Sequence, residues 1–455
     1  MCGFWKHEER KVVRKINVRV ALTACILFVS LQVPRGNLSH AVLDNLLDDL
    51  NLTTNDYNLG NTLFRVAFLL AEIPSQLISK ALGPDIFIPV QICAWSIAAM
   101  CQVALSGKTS FLICRVLIGA IEGGFIADLV LWLSYFFTSS ELPVRLSWFW
   151  TTLSLVQVGT SLYLHPYHWH CGFYLMVPSA VQTKNWMHPK GWFTEREEKI
   201  VVNRVLRDDP TKGSMNNRQG LTVRQLIRSL YDVDIFPIMA IGLIAYIGTG
   251  TFGSYFVLLT RQIGFSTFDT NLLMIPPQVL HIIFLLLITW FSEKVNEKSF
   301  VCLIAPFYAA IMMGVIRWWP GTGQEQWPTY VLNTLYSGQP YIHAICVAWV
   351  SRNSNGVRTR SISSALYNMS VQLGSIIAQN IYRQDDLPLY KRGNTQLFIL
   401  ELATIPVILF AKGYYVFKNK RRDKIWNAMT EDEKDNYRRT TKDEGTRRKD
   451  FRFAH

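Results

Sequence analysis

Apolar runs of about twenty residues recur along this chain, and that length decides its solvent before any motif is read. A helix rises about 1.5 Å per residue, so such a run crosses the roughly 30 Å hydrocarbon core of a bilayer. Candidate spans lie at 17–36, 59–80, 86–106, 109–136 and 145–164, then at 235–259, 271–291, 299–317, 328–350, 361–382 and 395–417. Composition agrees: 50% of the 455 residues are hydrophobic and 17% are charged, against about 25% in soluble proteins. The prediction is an all-α polytopic membrane protein.

Charge then orients the spans. Residues 1–19 carry six Lys/Arg, residues 182–234 ten and residues 412–455 fourteen. Basic residues confined to such segments mark cytoplasmic flanks, and this distribution excludes a nucleic-acid partner. All three segments share one side only if an even number of spans precedes and follows the central one. The second half supplies six, whereas the first supplies five. The missing crossing falls between Leu164 and Gln182, where Pro166 and Pro178 bracket a short apolar stretch. Its eleven or so residues would rise roughly 16 Å as a helix, about half of the core. The chain thus divides into a basic N-terminus (1–16), a first transmembrane half with a short or missing sixth helix (17–181) and a central cytoplasmic loop (182–234). A six-helix half (235–417) and a charged, solvated tail (418–455) follow.

Smaller signals fit this frame. Thr194 and Glu197 form a capping box that opens a helix whose Ile200, Val201 and Val205 suit the inner membrane surface. Asn51-Leu52-Thr53 is a glycosylation sequon on the external side. The eight cysteines are scattered without a Cys-x-x-Cys pair, so neither disulfides nor zinc are implied. His165, His168, His170 and Cys171 cluster with nothing nearby to complete a site, so no metal and no cofactor is expected. No nucleophile–base constellation of useful spacing points to an enzyme.

Charges inside spans carry the functional reading, because each costs roughly 2.5–3.5 kcal/mol when it faces lipid. Arg115 and Glu122 stand seven residues apart on one helix face, as a structural or gating pair, with Gly119, Gly123 and Gly124 beside them. Glu72 and Glu122 are the carboxyl candidates of the first half for any proton coupling, with Asp128 a third. Arg35, with Asn37 near the end of the first span, is either an anchor for an anionic substrate or an interfacial anchor. Asn368, Gln372 and Gln379 form a polar stripe that lines a cavity or glues helices. His281 and His343 are candidate proton relays or packing groups, and Tyr255 and Trp349 candidate cavity walls.

Several stretches resemble one family. Glu72-Ile-Pro-Ser-Gln76 with Leu82-Gly-Pro84 looks like its second helix and following loop, and Arg115-x-x-x-Gly119-x-x-Glu122-x-Gly124-Phe125 like its fourth helix. Leu133-Ser-Tyr135 and Glu141-x-x-x-Arg145 are similar to the turn after that helix. Phe193-Thr-Glu-Arg-Glu197 with Asp208-Asp-Pro210 resembles the central loop, and Trp349-x-x-x-Asn353, Arg360, Asn368, Gly374, Ile381-Tyr382 and Pro388-x-Tyr390 the tenth and eleventh helices. Together they are similar to fungal allantoate permease-type transporters, in the anion:cation symporter group of the major facilitator superfamily. The resemblance implies a two-half bundle of nominally twelve helices, of which about eleven are clear here. It also implies a monomer that imports a small organic anion (allantoate, a vitamin carboxylate or a sulfonate) with protons, across the plasma membrane or an internal one. The chain departs from the family at Pro34-Arg35-Gly36-Asn37, which lacks the usual acid, at Ala127, which replaces a proline, and in the shortened stretch around 165–180. A non-transporting truncated copy and a membrane nutrient sensor are the alternative readings.

Overall fold

The computed structural model describes residues 2–43, 46–138, 141–161, 176–177, 179, 181–183, 189, 191–208, 233–354, 357–441, 446 and 448–455. Among them the regular structure is helical throughout. The expected crossing near 165–180, with His165, His168, His170 and Cys171, lies almost wholly outside the described residues.

Helix α1 (Cys2–Ile16) runs through a π-turn at Asn17–Ala21 into α2 (Leu22–Leu43), so the helix begins in basic sequence and continues past the expected end of the first span, whose apolar part covers Glu8–Val33. Arg35 therefore sits inside a helix, two turns before its end. A capping box at Thr53 and Asp56 starts α3 (Thr54–Leu82), and Pro84 starts α4 (Pro84–Met100) at a position where its missing N–H costs nothing. Next come α5 (Lys108–Glu122), α6 (Phe125–Ser134) and α7 (Leu142–Ser161). In the C-terminal part, α9 (Phe236–Ile244) and α10 (Ile247–Gln262) make one span, preceded by the surface helix α8 (Glu195–Asp208). Then follow α11 (Ile275–Val295), α12 (Ile304–Trp318), the broken pair α13 (Gln326–Ser337) and α14 (His343–Asn353), α15 (Val357–Ala378), α16 (Lys391–Asn427) and α17 (Glu431–Thr440).

Eight helices among the described residues are long and apolar enough to cross a bilayer. The other three expected spans coincide with α7, α13–α14 and α15, which are broken or carry Ser, Thr and Asn through their length. Polar spans of this kind belong inside a bundle, and these three form its seams. One seam packs α3 on α15, the other α7 on α11 and α14. Burial sorts the rest. The α5–α6 span is 78% buried, whereas the spans of α4, α11 and α16 are only 22–28% buried and present Val279, Ile283, Leu287 and Phe410 outward to lipid.

Two expectations change. Val201 and Val205 of α8 are buried against the bundle rather than laid on a membrane, because ion pairs hold the helix there: Lys15–Glu197 and Arg204–Glu141, each at 2.8 Å. The tail is solvated along α17, which buries no side chain, but residues 448–455 return to the ends of α14 and α16. There Phe453 is 3% exposed, and Asn353 and Asn419 each both donate to and accept from the tail backbone.

Candidate functional site

The break between α5 and α6 builds the centre of the first half. Gly124 takes φ +81°, a left-handed conformation that favours glycine, and a Cβ there would also strike the Ser75 hydroxyl at 2.4 Å. Gly119 one turn earlier touches the α3 backbone, where a Cβ would lie 2.3 Å from the Phe64 carbonyl oxygen. Unwound backbone at membrane depth has to find partners in the protein. Here the Gln91 amide donates to the carbonyls of Ile121 (2.6 Å) and Gly123 (2.9 Å), and the Gln76 amide donates to that of Gly124 (2.9 Å). The Gly124 N–H in turn donates to Glu72 Oε2 at 3.3 Å.

Glu122, at the last turn of α5, is fully buried, and its carboxylate meets Arg35 rather than Arg115. Arg35 Nε donates to Glu122 Oε2 at 2.8 Å, with Nη2 at 2.7 Å. Seven residues on one helix separate two groups by about 10 Å along the axis, too far for a direct pair, whereas α2 delivers Arg35 at the same level. Arg115 donates instead to Asn61 Oδ1 at 3.0 Å, and both guanidiniums lie over the Phe64 ring. The Arg35 side chain keeps 24% of its surface exposed while Glu122 keeps none. Among the described residues Glu122 Oε1 has no hydrogen-bond partner.

Glu72 ties the two halves together. Its Oε2 accepts from Asn368 Nδ2 of α15 at 3.0 Å, and Arg35 lies within electrostatic reach. Asp128, fully buried on α6, lies beside Ser79 and Gln76. The stripe on α15 is split: Asn368 faces Glu72, Gln372 is half-buried, and Gln379 reaches Ser254 at 3.3 Å.

His343, buried at the start of α14, sits in an aromatic group between the halves. Trp150 of α7 meets its ring edge-on at 4.4 Å, and Tyr246 and Tyr367 flank it, the latter with its hydroxyl 3.3 Å from Nδ1. His281 contacts Tyr341 of the same group at 4.9 Å. Tyr255 and Trp349 do not share a cavity. The first packs on Tyr382 and Tyr390 beyond the far end of α15, while the Trp349 indole donates to the Ala454 carbonyl of the tail at 2.8 Å. The Asn37 side chain lies outside the described residues, and Asn51 is exposed in the turn before α3.

Sequence reading missed Glu401 on α16. It is buried, accepts from the Tyr336 hydroxyl at 3.2 Å, and borders a void of about 10 Å³ with Tyr246, Thr249 and Gln339, room for one water. A lone acid inside the apolar run 397–411 was its signal. Asn61 and Gln91 were also missed, and Gln76 was named only within its motif, because their partners are backbone atoms or residues from other helices.

The family model described as Major Facilitator Superfamily matches residues 22–379. The uncharacterized transporter YIL166C of Saccharomyces cerevisiae is 42% identical, covering 99% of this chain and 88% of its own. The thiamine pathway transporter THI73 of the same yeast is 25% identical, covering 92% and 83%. The solved structure of the proton:xylose symporter XylE, bound to 6-bromo-6-deoxy-D-glucose, superposes with a TM-score of 0.67 over 89% of this chain and 96% of that one, at 12% identity. With the broken central helix, the buried ion pair and the two seams in place, the chain belongs to the Major Facilitator Superfamily as a multi-pass membrane transporter.

Proposed function

We propose that this transporter is a proton-coupled importer of a small organic anion, of the allantoate permease type, with Arg35 as the anion's anchor and Glu122 as the proton carrier. The observation that supports this reading is the Arg35–Glu122 pair, one partner part-exposed and the other sealed. A substrate carboxylate or sulfonate approaching Arg35 competes with Glu122 for the same guanidinium. Once displaced, Glu122 is a buried carboxylate without its cation, which is costly unless it takes a proton. Anion and proton are then loaded together, and when both leave the ion pair re-forms. Arg115, Arg65 and Glu72 are the other charged groups near this pair. The identity to the thiamine pathway relative is too low to assign a substrate.

The test is uptake into liposomes under an imposed proton gradient, using radiolabelled allantoate, nicotinate, pantothenate and a sulfonate. Arg35→Gln should abolish uptake of the transported anion. Glu122→Gln should keep anion exchange across the membrane but lose accumulation driven by the gradient. Full proton-driven accumulation by Glu122→Gln would sink the mechanism, and no flux of any anion by the wild type would favour the non-transporting copy.

A further inference from the structure

The first helix carries a second arrangement that solute transport does not use. Where α1 meets α8, a cleft of about 360 Å³ is lined by Lys11, Arg14, Lys15, Val18, Arg19 and Glu197. Lys11 and Arg14 are exposed and make no ion pair among the described residues. Lys15 is held by Glu197, and Arg19 lies over the Trp192 ring while donating to its carbonyl at 3.5 Å. Glu8, one turn before Lys11, is occupied by Arg196 at 2.9 Å. The cleft therefore has four cations against one carboxylate.

Its height along the helix says what could fill it. Val18 and Leu22 are 58% and 53% exposed, and they belong to a membrane span, so they face acyl chains. Arg14 stands about 6 Å above Val18 along the axis, and Lys11 about 10 Å. The headgroup zone on each side of the hydrocarbon core is roughly 5–7 Å deep. Arg14 and Lys15 thus fall at the depth of the phosphodiester, and Lys11 just beyond it. A free anion in solution would use the charges but not the apolar floor; a phospholipid uses both.

We propose that this cleft binds one anionic phospholipid of the leaflet on the basic side, with its phosphodiester at Arg14 and Lys15 and additional headgroup phosphate at Lys11. The reading is independent of which solute is carried. It also gives the lipid a place beside the Lys15–Glu197 bond that docks α8 on α1.

The test uses the full purified chain in nanodiscs and in detergent, with lipid retention read by native mass spectrometry. Phosphatidylinositol phosphate, phosphatidylserine, phosphatidylcholine and soluble inositol phosphate are compared. Retention should rank in that order for the three lipids, with the soluble headgroup bound far more weakly than its lipid. Each cation at a membrane surface contributes about a fivefold factor, so Lys11→Gln/Arg14→Gln should weaken phosphatidylinositol phosphate retention about 25-fold and leave phosphatidylcholine unchanged. Both side chains are exposed, so an unaltered melting temperature checks that the fold is intact. Lys199→Gln, outside the cleft, should change nothing. Equal retention by the double variant, equal loss with Lys199→Gln, or a soluble headgroup that binds as tightly as its lipid would each overturn the proposal.

Discussion

Gly119 shows how a single residue holds two spans at contact distance. A Cβ there would lie 2.3 Å from a backbone oxygen of α3, which cannot swing away as a side chain would. Gly119→Ala should therefore lower stability by about 1–3 kcal/mol through overpacking, read as a fall in melting temperature of the solubilised protein. Unchanged melting would mean that α3 and α5 do not meet this closely. Asp56 sets a pH dependence outside the membrane. Hydrogen bonds from Lys108 and then Thr53 hold its carboxyl down at about 2. A lowered folded-state value means the contribution is complete above the unfolded value near 4 and is lost as pH falls through about 2. Hydrogen-exchange protection at residues 54–57, taken relative to the intrinsic rate at each pH, should fall over that window in the wild type, and Asp56→Asn should remove the dependence.

Elements behave here according to what they bury. Helix α8 was legible as a helix from its capping box, but not its place, since Arg204 finds the Phe136 carbonyl and Glu141 only after α6 and α7 have assembled. The tail is a stronger case. Its charge pattern reads as solvated, yet two asparagines bracket its backbone, and Phe453 fills a site against Tyr415. Each hydrogen bond is worth about 1 kcal/mol. Asn353→Ala and Asn419→Ala, each removing two, should therefore shift the docked-to-undocked ratio about 30-fold. Faster tryptic cleavage at Arg448, Lys449 and Arg452 would report the release, and an unaltered cleavage rate in both variants would count against docking.

At the scale of the molecule, Glu72–Asn368 is a buried polar contact that joins the halves at the α3–α15 seam. If this bond biases the balance between conformations, Glu72→Gln and Asn368→Ala should be coupled by about 0.5–3 kcal/mol in a double-mutant cycle on melting temperature. Additive effects would mean that the seam is held by packing alone. The sequence by itself determined the solvent, the helical class and the approximate place of the eight most apolar spans, because hydrocarbon thickness and backbone satisfaction leave a chain with twenty-residue apolar runs little alternative. It also marked Glu72, Arg115 and Glu122 as residues that must avoid lipid, since their cost is a property of each residue alone. Partner choice was another matter. That Glu122 takes Arg35 rather than Arg115, that Gln76 and Gln91 stitch the broken turn, and that Trp349 receives the tail are contacts between helices separated by dozens of residues. No local spacing encodes them. They follow from which helix faces packing brings to the same depth, and only the tertiary structure decided that.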